Sequence, residues 1–109
     1  MDVFKFHYPD DGPLKSIVKL EGPNGVTFEL GSGFLPKGTR MPALGESAHP
    51  RHEVTIILDG MLETRSGGRT CVLRAGDVVS IPAGQSQASQ VLDDTHLVWC
   101  FITTEETAN

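Results

Sequence analysis

Two stretches decide the fold: Glu53-Val54-Thr55-Ile56-Ile57-Leu58-Asp59-Gly60 and, further on, Gly76-Asp77-Val78-Val79-Ser80-Ile81-Pro82-Ala83-Gly84. Val54 to Leu58 is a dense β-branched run, and Asp59-Gly60 reads as a tight hairpin turn with Met61 to Thr64 as its return arm. Ser66-Gly67-Gly68 makes a second turn before a strand over Thr70 to Leu73. Gly76-Asp77 then precedes a strand from Val78 to Ile81. Pro82-Ala83-Gly84 stops that strand and redirects the chain into the polar stretch Gln85 to Gln90.

Working outward, Ser16 to Leu20 is a strand ended by the turn cluster Glu21-Gly22-Pro23-Asn24-Gly25. Val26, Phe28 and Leu30 alternate with Thr27, Glu29 and Gly31, which predicts a half-buried strand. Leu35-Pro36-Lys37-Gly38 breaks the chain, and Thr39 to Pro50 reads as a loop. Asp93-Asp94 is a further turn, His96 to Ile102 a long hydrophobic strand, and 103–109 a polar tail. Short strands with turns at this spacing predict an antiparallel all-β sandwich or barrel, between which pattern alone does not choose.

The 109 residues suit one domain, 1–109, and contain no repeat, linker or low-complexity segment. A net charge of −5 and a pI near 5.2 argue against a nucleic-acid partner. Lys and Arg are scattered from Lys5 to Arg74 with no basic patch for a membrane, and no apolar run reaches spanning length. The N-terminus lacks the basic and apolar regions of a signal peptide, so a cytoplasmic protein is expected. Cys71 and Cys100 sit in apolar runs without a Cys-x-x-Cys or a close His, and are expected to be buried free thiols.

At Glu53 and Gly84 the two stretches resemble the paired motifs of the cupins. Glu53 is followed by six residues and then Gly60, and His49 lies four before Glu53, as in the first cupin motif. Gly76, five residues, Pro82, Ala83 and Gly84 match the opening of the second. The motif core spans about 38–91. The resemblance implies a small single-domain cupin: an all-β, antiparallel double-stranded β-helix, or jelly-roll barrel. It further implies that residues 47, 49 and 53 share an inward face with position 87, where cupins hold iron, manganese, zinc or nickel.

Here the pattern departs from the family. Ser47 stands at the first histidine position, Gln87 at the second-motif histidine and Val91 at the terminal asparagine, and the loop after Gly38 is three residues long for the motif. His49, Glu53 and Gln87 remain as metal candidates, joined by His52 should a bulge after Pro50 turn it inward. One imidazole, one carboxylate and one amide make a weak donor set, so a divalent transition metal is expected to be weakly bound or absent. Gln85 and Ser89 share the strand parity of Gln87 and are candidates for the same polar wall. Arg40 and Arg51 are candidates to fork an anionic ligand at the mouth. His96 begins the last strand and reads either as a cavity residue or as a satisfied edge histidine, and Trp99 is expected in the core or at a subunit interface. His7 and Tyr8 receive no role.

Three functions follow from the resemblance. The first is a non-redox isomerase, lyase or cyclase acting on a small polar or anionic metabolite, with Glu53 and His49 exchanging a proton and Gln87, Arg40, Arg51, Gln85 and Ser89 binding substrate. The second is a metal-dependent dioxygenase or lyase. The third is a ligand-binding or sensing module without turnover. No phosphate loop, nucleophile elbow or Ser-His-Asp arrangement competes with them. Small cupins commonly pair by packing their sheets, which implies a homodimer.

Overall fold

A computed structural model describes residues 1–104. Among them lie eight strands: β1 Leu14–Glu21, β2 Thr27–Leu35, β3 Arg40–Met41, β4 Ser47–Ala48, β5 His52–Ser66, β6 Arg69–Arg74, β7 Val78–Ile81 and β8 Ser86–Thr103. Every pairing is antiparallel, and the strands roll into the double-stranded β-helix expected. No helix of the described residues is long and apolar enough to cross a membrane. Thr103 ends β8, and 105–109 of the predicted tail lie outside the described residues.

β5 and β8 organise everything else because they pair with each other along both halves of the barrel. The first half of β5 lies between β7 and the second half of β8, which also carries β2 and, beyond it, β1. The second half of β5 lies between β6 and the first half of β8, which also carries β3 and β4. Each long strand therefore folds over the core rather than ending at it.

This corrects two expected turns. Asp59-Gly60 is a crease inside β5 and Asp93-Asp94 a crease inside β8, facing each other where the register shifts between Ile57 and Leu62. Gly60 adopts φ 92, and a Cβ there would come within 2.3 Å of the Asp94 carbonyl and 2.4 Å of Thr95 Oγ1. The fully buried Thr95 fastens the crease: its Oγ1 accepts from Met61 N at 3.1 Å and donates to the Asp93 carbonyl at 2.8 Å. Local sequence resembles a hairpin, but pairing with a distant strand decides the outcome.

The remaining turns follow their chemistry. Gly67 and Gly68, with φ 59 and 74, form the two-residue loop between β5 and β6. In Pro82–Gln85 the Gln85 N–H closes on the Pro82 carbonyl at 3.1 Å with Gly84 at φ 81, the position where a type II turn needs glycine.

Leu35, Ile57, Leu62, Val91, Leu97, Trp99 and Phe101 form the core. Glu29, Gly31, Ser32, Gly33 and Leu35 of β2 are buried, while Val26, Phe28 and Leu30 are half-buried. The reason lies across the ladder. Gly31 and Gly33 stand opposite Trp99 and Leu97, and a Cβ on Gly31 would lie 2.2 Å from the indole. Trp99 is therefore a core residue, its Nε1 donating to the Ser32 carbonyl at 2.7 Å. Cys71 and Cys100 are free and only half-buried, and burial raises the pKa of the Cys100 thiol.

If the crease depends on Gly60, Gly60→Ala should cost about 2–4 kcal/mol, combining left-handed strain with overpacking. Gly68→Ala, at φ 74 with nothing within 4 Å, should cost about 1–2 kcal/mol. Urea unfolding followed by Trp99 fluorescence measures both, and equal losses would show that the crease has room to spare.

Candidate functional site

Alternation along the strands of the barrel aims one set of side chains into a cavity of about 290 Å³. From β5 come Glu53, Thr55, Ile57, Leu62 and Thr64; from β8 come Gln87, Ser89, Leu97, Trp99 and Phe101. The volume lies at the lower bound of ordinary small-molecule sites.

One end of this cavity is polar. Gln87 Nε2 donates to Glu53 Oε1 at 3.1 Å, and Thr55 Oγ1 donates to Glu53 Oε2 at 2.9 Å. Both carboxylate oxygens are thus held, and each keeps a lone pair for a further donor. With its amide nitrogen engaged, Gln87 has its oxygen left as an acceptor. Across the wall, the hydroxyls of Thr64 and Ser89 lie 2.7 Å apart on cross-strand partners.

His49 follows β4 and is locked on three sides. Its carbonyl accepts from Gly84 N at 2.7 Å, tying the Pro82-Ala83-Gly84 turn to the first stretch. Its ring stacks on Phe101 with centroids 4.1 Å apart and planes 5° from parallel. Its Nδ1 accepts from Arg51 N at 3.2 Å, so the neutral ring carries its proton on Nε2. Burial, then the Arg51 charge, lowers the imidazole pKa below its usual 6.5, outweighing the opposite pull of Glu53 and Glu29.

The structure brings His49, Glu53, Gln87 and Ser89 together in one wall, with Ser47 beside them. The other candidates lie elsewhere. Gln85 precedes β8 in the turn, donates to Ser66 Oγ at 2.8 Å and lines a separate groove between β6 and β7. His52 has the opposite parity from Glu53, and its Nε2 pairs with Ser80 Oγ at 2.7 Å outside the cavity. No bulge turns it inward, since His52 and Glu53 pair in unbroken register with Ile102 and Phe101. Arg40 spends its guanidinium on the carbonyls of Pro42 and Gly45 at 2.6 and 2.9 Å. Arg51 lies 4.6 Å from the Phe101 ring centroid and binds Glu29 at 2.8 Å, and that bond, with one from Ser16, lowers the pKa of the buried Glu29. His96 faces the outside of the barrel, held by Asp59 at 2.8 Å and flanked by Tyr8 and Phe34. Val91 is core.

Thr55, Thr64 and the aromatic pair Trp99 and Phe101 were not foreseen as site residues. Thr55 was within reach of sequence, two places after Glu53; Thr64 was not, because its facing depends on the register shift at the crease. As for metal, no three His, Cys, Asp or Glu side chains among the described residues form a set that holds an ion. One imidazole with a single free nitrogen, beside a carboxylate already bonded to Thr55 and Gln87, does not fit a tight transition-metal centre.

The cupin-domain family model matches residues 34–103. Among solved structures, an RmlC-like cupin family protein with a double-stranded β-helix fold from Methanocaldococcus jannaschii is 14 % identical, with a TM-score of 0.72 over 97 % of this chain and 94 % of that one. A conserved protein of unknown function from Streptococcus pyogenes is 18 % identical, with a TM-score of 0.70 over 92 % and 82 %. A DMSP lyase structure is 16 % identical, with a TM-score of 0.63 over 72 % of this chain and 40 % of that one. No curated protein matches by sequence.

The environment of His49 makes a titration prediction. Its ring proton resonances should report a pKa below 6.5, and Arg51→Met should move it upward by removing a nearby cation. Because the folded state disfavours the charged ring, the unfolded chain takes up the proton first. Stability should therefore decline as pH falls through about 6.5 toward the folded value. An upward-shifted His49 pKa in the native protein would contradict this account.

Proposed function

This chain belongs to the cupin family, and from that premise we propose that it is a small enzyme that binds a compact metabolite inside its barrel and moves a proton on it without redox chemistry. The reaction class is that of an isomerase, lyase or cyclase. The observation that carries this reading is the Glu53–Gln87 pair, 3.1 Å apart in the wall of the cavity that His49 also lines.

The roles follow from hydrogen-bond capacity. Glu53, steadied by Thr55 and Gln87, is the base that takes a proton from bound substrate. His49 presents Nε2–H as the acid or oxyanion donor, its Nδ1 being occupied by the Arg51 amide. Gln87 Oε1 and the Thr64–Ser89 hydroxyls orient the substrate, and the aliphatic wall excludes water. A fold shared with a lyase structure is compatible with this chemistry and does not specify it.

A metabolite screen run in D₂O tests the assignment by deuterium wash-in or product formation. Glu53→Gln should lower turnover by about 10²- to 10⁴-fold, and EDTA should leave the wild-type rate unchanged. Binding without exchange or product in the wild type would replace this reading with that of a ligand-sensing module. Activity abolished by EDTA and restored by metal would restore the metal-dependent one.

The homodimer is proposed on the outer face of the same strands. Ile56 and Val78 are cross-strand neighbours, 39 % and 63 % exposed, with Leu58 nearby at 43 %. Covering such a face with a second copy removes apolar area from water. Light scattering should give twice the 11.8 kDa chain mass, and Ile56→Lys with Val78→Lys should give the single mass. A wild-type monomer at micromolar concentration rules this pairing out.

A further inference from the structure

The cavity wall also carries information about the charge of its guest, an inference that rests on the cavity being the ligand site. Sequence left a polar or anionic metabolite as the expected ligand, with Arg40 and Arg51 to receive it. The structure turns both arginines away, and none of the nine lysines and arginines lines the cavity.

We propose that the cavity takes an organic amine with an apolar body and rejects carboxylates and phosphates of the same shape. The titratable groups in the wall are Glu53 and His49. The His49 ring has its Nδ1 taken by the Arg51 amide, and burial disfavours its charged form, so Glu53 is the acidic group that dominates the wall. The guanidinium of Arg51 is bonded to Glu29 at 2.8 Å and does not line the cavity. An anionic head group beside Glu53 would meet a like charge with no lysine or arginine in the wall to pair with it. An ammonium group meets acceptors it needs, a free lone pair of Glu53 and the Gln87 oxygen beside it, while the second Glu53 oxygen stays open for proton transfer.

The rest of the guest is constrained by the rest of the wall. Leu35, Met41, Ile57, Leu62, Leu97 and Trp99 offer aliphatic and aromatic surface with no polar partner to match a hydroxylated body. An apolar cavity of about 150 Å³ suffices for benzene. A space of about 290 Å³ therefore has room for a six-membered ring and a short head group. The indole of Trp99 in the same wall adds attraction for a cation.

Trp99 also supplies the assay, since it is the single tryptophan and lines the cavity. Its fluorescence is titrated at pH 7.5 with benzylamine, benzyl alcohol and benzoate, three probes of one shape and different charge. Benzylamine should bind at least about tenfold more tightly than benzoate, with the alcohol between them. Glu53→Gln should shrink the gap to under about threefold, and Gln87→Glu, which adds a second carboxylate, should widen it. Benzoate binding as tightly as benzylamine overturns the proposal while leaving the cavity a ligand site. A preference for the amine that survives Glu53→Gln overturns it too, by removing its stated cause. No response to any of the three overturns the cavity reading itself.

Discussion

The structure depends on one ladder. β5 and β8 pair from His52 with Ile102 to Ser66 with Gln87, and they bend together at a single crease where the Gly60 backbone rests against Asp94 and Thr95. Because both strands bend there, one pair of chains supplies the central strands of both halves of the barrel. Continuous hydrogen bonding carries their alternating faces over the crease, with a register shift that brings Leu62 and Thr64 back to the inside. The inward facing of Thr64, across the bend from Glu53, is a consequence of that shift on β5, while the inward set of β8 from Gln87 to Phe101 keeps one parity.

Much of this was legible. The Glu53–Gly60 and Gly76–Gly84 spacings marked the barrel, and the resemblance to the cupin motifs implied one wall for His49, Glu53 and Gln87. Legibility failed where a distant partner overruled local pattern. Asp59-Gly60 after a β-branched run is a hairpin signal by every local rule, yet the chain continues because β8 lies ready to pair with both arms. On β2 two glycines lie under Trp99 and Leu97, which fill the space that side chains there would need. Gln85 shared the parity of Gln87 on paper, and the turn that ends before Ser86 removed it from the strand.

The arginines teach a related lesson about charge. A sequence shows that Arg40 and Arg51 flank the candidate site; it does not show what already occupies them. Backbone carbonyls of the lengthened loop take Arg40, and buried Glu29 with the Phe101 ring takes Arg51. Satisfied guanidinium groups hold structure together rather than await a ligand. Arg51 still acts on the site at one remove, since its backbone N–H fixes the His49 tautomer and its charge helps keep that ring neutral.

The losses from the usual metal positions and the hydrogen bonds around Glu53 then form a single argument. In a metal-holding barrel, inward histidines would compete for the space between β4, β5 and β8. Here Ser47 and Gln87 leave that space to a carboxylate, and Gln87 donates to it instead of ligating beside it. The same substitutions that weaken the donor set for an ion give Glu53 fixed partners, an open lone pair on each oxygen and an uncharged neighbour. A carboxylate so placed, in a wall that holds no lysine or arginine, is a receptor for a proton or a positive group. The residues that depart from the family pattern are therefore those that define the chemistry available to this barrel.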